Sequence, residues 1–331
     1  MKRSVCFLLM ICAACVLSLA YLSMGSYQVG LGEILDIACG GGIPEARLVV
    51  LEIRLPRLIG ALCTGAALSL CGAVMQSIFN NPLVSPDILG VSSGAACGAA
   101  TALVAGCGSV AVGLAAFGCG MLAVLLALAV AGLASGGRSP VLVLVLAGIV
   151  VSAFFSGIVE MICAFNPHAE EFPSILFFLF GSMTRITVSD LPLLISVLAA
   201  SGLLLWRMGY ALDVISLGEE DASRLGVPAA ALRYLVIAIS SVICGIFIAK
   251  AGMIGWVGLI IPHIARLMLG VRHRVMLPGA MLAGGVFLAA VDLLCRNLFT
   301  YELPLGVVTS LIGAPVFVVI LCRSMRKYGG A

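Results

Sequence analysis

Between Asp87 and Arg138 the chain runs for 50 residues without a single Asp, Glu, Lys or Arg. A membrane-crossing helix takes about 20 apolar residues. The stretch is therefore too long for one crossing and suits a tight helical hairpin, with Gly106-Cys107-Gly108-Ser109 as its turn. The scarcity of charge is general: 62% of the 331 residues are hydrophobic and 10% are charged. An ordinary soluble domain is about half apolar and about a quarter charged. A soluble enzyme cannot bury this excess, and a disordered chain needs the opposite composition. The expected fold is all-α and polytopic, with room for about ten transmembrane helices. A net charge of +3 is too small to suggest nucleic acid.

Met1-Lys2-Arg3 and the apolar run to Met24 resemble a signal peptide, but the run is long and no small-x-small cleavage site follows. Residues 1–24 are expected to form a retained first helix. Residues 25–56 carry Glu33, Asp36, Glu45, Arg47 and Glu52 and are expected to form an outer loop. Nine further helices are expected over 57–331, near 57–79, 87–107, 110–134, 141–164, 190–208, 231–250, 254–270, 277–298 and 305–323. The apolar stretch Pro173–Gly181 is too short to cross and is expected as a short helix at the outer mouth. With the N-terminus inside, twelve of the 18 Lys and Arg residues fall on the cytoplasmic side. The excess of positive charge inside places both termini in the cytoplasm.

The 13 cysteines lie mostly in apolar stretches, and the single CxxC pair, Cys12 and Cys15, sits inside the first apolar run. They read as small hydrophobes rather than as metal or redox ligands. Gly90-Val91-Ser92-Ser93-Gly94 matches the nucleophile-elbow pattern, but that motif needs a strand before it. Gly90, Gly94 and Gly98 instead share one helix face and suit close helix packing, as do Gly252, Gly255 and Gly258. No catalytic residue is expected. The chain has no G-x-x-x-x-G-K-[ST] phosphate loop. Asp292 and Arg296, four apart, have the spacing of an ion pair within one helix. His263, after Pro262, reads as a buried histidine bonded to a neighbouring helix.

Segment 209–230 is the most informative loop. Leu217-Gly218 leads into Glu219-Glu220-Asp221, Arg224 lies in the last turn, and Leu225-Gly226 is followed by Val227-Pro228. Acids first, a base last, a glycine stop and then proline agree with the helix dipole and with C-capping. The spacing predicts a two-turn helix built as a docking element for a cytoplasmic partner.

With these residues in view, the chain resembles the membrane-spanning permease subunits of type II ABC importers, which take up iron–siderophore complexes, haem and vitamin B12. The matching segments include Arg54-Leu55-Pro56-Arg57 and Gly72-Ala73-Val74-Met75-Gln76, running into Asn81-Pro82-Leu83-Val84-Ser85-Pro86. Further on come Leu89 to Ala95, Leu217-Gly218-Glu219, Gly255-Trp256-Val257-Gly258 and Pro262-His263 to Arg266. Asp292 to Arg296, Glu302-Leu303-Pro304-Leu305-Gly306 and Gly313-Ala314-Pro315 complete the match. It covers the chain from about residue 54 to its end.

The resemblance implies a single permease domain over 1–331 that sits as a multi-pass protein in the cell (inner) membrane and contacts lipid. It implies a second permease subunit, two ATP-binding subunits and a periplasmic or lipid-anchored substrate-binding protein. ATP and Mg would be bound by the partner ATPase, and this chain would bind no cofactor and no metal. The segment carrying Leu217, Gly218, Glu219, Glu220, Asp221, Arg224, Leu225 and Gly226 would couple to the ATPase. Asn81, Pro82, Leu83 and Ser139 would form the cytoplasmic gate, and Arg54 and Arg57 would pair with the binding protein. The cargo expected is a ferric siderophore, with vitamin B12, haem or molybdate as alternatives. An ion-coupled secondary transporter is the alternative of another class. It would carry buried carboxylates and broken helices at membrane depth, whereas the charges of this chain cluster at helix ends.

Overall fold

The computed structural model describes residues 3–134, 141–165, 172–298 and 301–328. Its described elements are helical. The first part holds α1 (Arg3–Ser23), α2 (Leu31–Ala38), α3 (Pro44–Arg47), α4 (Leu55–Ile78), α5 (Val91–Val104) and α6 (Ser109–Ala134). Then come α7 (Val141–Phe165), α8 (Phe172–Phe180), α9 (Leu191–Arg207), α10 (Gly209–Ile215) and α11 (Glu219–Arg224). The chain continues with α12 (Ala229–Ala251), α13 (Val257–Leu269), α14 (His273–Asn297) and α15 (Leu305–Tyr328). Among the described residues seven helices are long and apolar enough to cross a membrane, and α5, α13 and the Leu305–Ile320 part of α15 supply three shorter apolar stretches. Together they account for the ten crossings read from the sequence.

The bundle is organised around α4, which packs against α14, α13, α12 and α9 and is buried along nearly its whole length. Lipid offers no hydrophobic drive for helices to associate, so close contact has to come from small residues. Gly65 lies against the Gly284 carbonyl of α14, and Gly72 against the Gly258 carbonyl of α13. At either position a Cβ would overlap the facing oxygen. Gly94 and Gly98 make the same kind of contact with the Cys119 and Ala115 carbonyls of α6, as their spacing suggests. Of Gly252, Gly255 and Gly258, only Gly258 is within a helix. The other two precede α13 in irregular backbone, followed by Trp256 at φ +71°.

Residues 25–56 are not a loop. Charge made them look too polar for lipid, but they form α2, α3 and a π-helical stretch over Leu48–Arg54 that runs straight into α4. The resulting helix extends from Pro44 to Ile78, 35 residues. It is roughly 50 Å long at about 1.5 Å per residue, so its first turns stand clear of a hydrocarbon core of about 30 Å. The helix expected near 173–181 is α8. Its end is tied to neighbouring elements by backbone bonds, Met253 N–H to Phe178 O (3.0 Å) and Leu305 N–H to Gly181 O (3.1 Å).

Candidate functional site

At one end of the bundle, α10 and α11 occupy segment 209–230, where a two-turn helix was expected. α10 buries Leu212, Val214 and Ile215 in the core. α11 then projects outward: Leu217 and Leu225 are exposed, 64% and 53%, beside exposed Glu220, Asp221 and Arg224. Gly218 has φ +121° where the chain turns from one helix to the next. Gly226 at φ +76° ends α11, with Gly226 N–H bonded to Ser223 O and Val227 N–H to Ala222 O, the paired bonds of a glycine-stopped helix. The Arg224–Asp221 pair, 3.9 Å apart and exposed, adds little stability.

This element is fastened to α4 by residues that sequence reasoning missed. Asp213 on α10 accepts from the backbone N–H of His273 (2.9 Å) and contacts His273 Nδ1 (2.6 Å). The other ring nitrogen, Nε2, lies 2.6 Å from Ser77 Oγ near the end of α4, and Ser77 donates to Ala73 O (2.9 Å). Asn80, at φ +48°, donates to the carbonyls of Ser77 (3.1 Å) and Ser216 (3.2 Å) in the amide orientation that satisfies both its polar atoms. His273 is thus the buried, bonded histidine of this end, not His263, which is only half-buried. Arg266 donates to Gln76 Oε1 (2.5 Å) and Ala73 O (3.1 Å). Of the expected gate residues, Asn81, Pro82 and Leu83 are exposed in the turn after α4, and Asn81 Oδ1 accepts from Leu83 N–H (2.9 Å). Ser139 lies outside the described residues.

The opposite end corrects the expected Asp292–Arg296 ion pair. Asp292 is fully buried and binds Arg57 bidentately, at 2.9 Å from both Nε and Nη2. Its Oδ2 also accepts from the Tyr21 hydroxyl of α1. Arg57 reaches on to Glu302 (2.8 Å). Arg296 instead donates to the carbonyls of Tyr21 (2.8 Å) and Met24 (2.7 Å), with its guanidinium 4.5 Å from the Tyr21 ring centre. Spacing within one helix was visible in the sequence; the better partner, on another helix, was not.

Arg54 and Arg57, the residues expected to pair with a binding protein, are held in place by this chain's own groups. They are 3% and 6% exposed, and Arg54 is bonded to the carbonyls of Leu22, Ser23 and Tyr27. Both border a cavity of about 580 Å³ together with Arg296 and Glu302.

A second cavity of about 590 Å³ is lined by α8, residues 253–255, the start of α15, and Asp87 and Ser92. Ser92 donates to the Asp87 carboxylate, and Ser92 follows a 3-10 turn over Pro86–Leu89, not a strand. The nucleophile-elbow pattern is a helix start. Asp87 bears on the secondary-transporter alternative: one carboxylate does line a cavity, beside irregular backbone. The charge distribution alone therefore does not separate the two classes.

The ten apolar helices, with an exposed acidic helix at one end, are the architecture of a polytopic membrane protein, and the comparisons with known proteins make that protein a permease. The chain belongs to the FecCD transport family, whose model matches residues 10–323. It is 35% identical over 312 residues to the molybdate import system permease protein MolB of Haemophilus influenzae, covering 92% of this chain and 91% of that one. It is 38% identical to the "probable iron chelatin transport system permease protein" of Helicobacter pylori, covering 84% and 83%. It is also 38% identical to the cobalamin import system permease protein BtuC of Halobacterium salinarum, covering 85% and 75%. A solved inward-facing structure described as a metal-chelate type ABC transporter superposes with TM-score 0.87 at 34% identity, over 97% of this chain and 99% of that one.

Proposed function

We propose that this chain is the membrane-spanning subunit of an ATP-driven importer in the cell (inner) membrane, moving a ferric siderophore handed over by a substrate-binding protein into the cytoplasm. It works with a second permease subunit and two separate ATP-binding subunits, and it hydrolyses no ATP itself. The observation that carries the reading is the α10–α11 pair, an exposed acidic helix joined through Asp213, His273 and Ser77 to the end of the central helix. A push on α11 reaches the Asn81–Leu83 turn through three short bonds, which suits an ATPase docking at this end and a gate opening beside it.

At the other end, the cavity bordered by Arg54, Arg57 and Arg296 offers a place for a carboxylate of the binding protein, which would compete with Glu302 for Arg57. The second subunit fits the exposed apolar faces of α7 and α15, where Ile149, Phe154, Leu311 and Val318 point outward. A bulky chelate is favoured by the size and largely apolar wall of the internal cavity. Molybdate is the second reading, supported by the long match to the molybdate permease.

The test is uptake into vesicles holding this chain with its ATPase and binding protein. ATP-dependent accumulation of a labelled ferric siderophore, and not of labelled molybdate or cobalamin, is the expected result; cobalamin uptake without iron uptake would overturn the choice of cargo. For coupling, the double change Glu219→Lys and Glu220→Lys is expected to cut co-purification of the ATPase by about tenfold or more, an effect of reversing charge at a docking surface. The membrane part should remain monodisperse. Undiminished co-purification would remove α11 from the interface.

A further inference from the structure

The starting point is helix length. α5 has 14 residues and α13 has 13, so each is roughly 20 Å long at about 1.5 Å per residue. That is short of a hydrocarbon core of about 30 Å. The backbone ahead of each helix must therefore descend into the bilayer in irregular form. The two irregular stretches meet there: a Cβ on Gly258 would lie 2.7 Å from the Pro86 ring and 2.8 Å from the Leu68 carbonyl, part-way down α4. Non-helical backbone at such depth is stable only inside protein or along a polar cavity. Here it borders the cavity of about 590 Å³.

Most of that wall is apolar, supplied by α8, residues 253–254 and α15. The polar side chains on it are Asp87, Ser92 and Ser310, with no Lys, Arg or His among the lining residues. Ser310 is turned to the Gly306 carbonyl of its own helix (2.6 Å). Asp87 sits just ahead of the first turn of α5, where the helix dipole favours negative charge, and holds the Ser92 hydroxyl. Whenever it is ionised, a carboxylate on an apolar wall with no facing cation sets a negative potential in the cavity. Intramembrane carboxylates of this kind commonly mark the route of a transported species.

We propose that Asp87 is a charge filter on the transport route: it admits neutral or cationic metal chelates and repels anionic chelates and oxyanions. The proposal rests on the permease reading above and narrows its cargo by charge.

The experiment uses the complete importer, this chain with its ATPase and binding protein, in vesicles. Two labelled probes are compared: a neutral ferric tris-hydroxamate, and the same chelate carrying one added carboxylate. The quantity read is the anionic-to-neutral ratio of initial uptake rates, in the unmutated protein and in Asp87→Asn. The binding protein and ATPase are common to both, so their own selectivity cancels when the two ratios are compared. The ratio is expected to rise by about tenfold in Asp87→Asn, the size of effect of one ionised group roughly 10 Å away at an effective dielectric constant of about 20. An unchanged ratio would mean that Asp87 only closes the start of α5, and the proposal would fall.

Should Asp87→Asn not stay monodisperse, Ser310→Asp decides the matter. It adds a second carboxylate to the same wall and should lower the ratio by a comparable factor; no change overturns the filter. Failure of the unmutated importer to take up either ferric chelate counts against the choice of iron as cargo, not against the filter. The same ratio is then read with cobalamin and its monocarboxylate derivative. Uptake of molybdate by the unmutated importer would overturn the filter itself.

Discussion

Asp292→Ala is expected to destabilise the protein by about 3–5 kcal/mol, the usual cost of leaving one member of a buried ion pair without its partner. Asp292 is fully buried and takes two bonds from Arg57 and one from Tyr21. Its loss strands a guanidinium that retains only Glu302. Arg57→Met should cost a similar amount by stranding the carboxylate. The pair Arg57→Met with Asp292→Leu should recover most of the loss, since removing both charges also removes the cost of burying them. Arg296→Ala is expected to cost less, about 1–3 kcal/mol, because it breaks bonds to two carbonyls and no ion pair. Thermal unfolding of these variants in detergent, with Asp292→Leu alone added to close a double-mutant cycle with Arg57→Met, checks this. If Arg296→Ala proved as costly as Arg57→Met while the double variant stayed unstable, the sequence-based pairing of Asp292 with Arg296 would have to be restored.

The second large effect concerns the contact between α4 and α13. Gly72→Ala adds only one methyl group, yet that group would overlap the Gly258 carbonyl. The obstacle is backbone, which cannot rotate away as a flexible side chain does. Overpacking of this kind usually costs about 1–3 kcal/mol; with backbone on both sides the upper end or more is expected. Gly118→Ala on α6 is the control. A Cβ there meets nothing within 4 Å, so this change should leave stability unaltered or raise it by up to about 1 kcal/mol, through helix propensity. Melting temperature and gel-filtration profile of the two variants test the pair. Equal behaviour would mean that α4 and α13 can part without cost.

What the sequence made legible follows from what is local. The apolar runs gave ten crossings because about 20 residues of lipid-compatible chain are visible one run at a time. The α11 helix was readable because its acids, its stop glycine and its proline lie within ten residues. The four-residue spacing of Gly94 and Gly98 announced the contact with α6. The failures share the opposite character. Charges at 33, 36, 45, 47 and 52 suggested a loop, whereas α2 carries the first two, and α3 with the π-helical stretch carries the other three at the start of an over-long helix. Arg57, Asp213 and His273 find partners on other helices, and no spacing rule reaches that far. In the sequence Asp87 only marked the start of the charge-free stretch; its place on a cavity wall depends on two short helices stopping part-way through the bilayer.

Arg57 and Asp292 stand 235 residues apart in the chain. At a synthesis rate of about 5–20 residues per second, that separation is roughly ten to fifty seconds. For that interval the newly made α4 is in the membrane with a positive charge whose partner does not yet exist, and its glycine faces have nothing to close on. A charged residue drawn toward the bilayer centre is costly, and the side chain escapes by reaching to the surface. Arg57 sits near the start of α4, within reach of the surface, so water can hold its charge until Asp292 is made. The middle of the finished protein is thus the last part to settle, long after its own residues have left the ribosome.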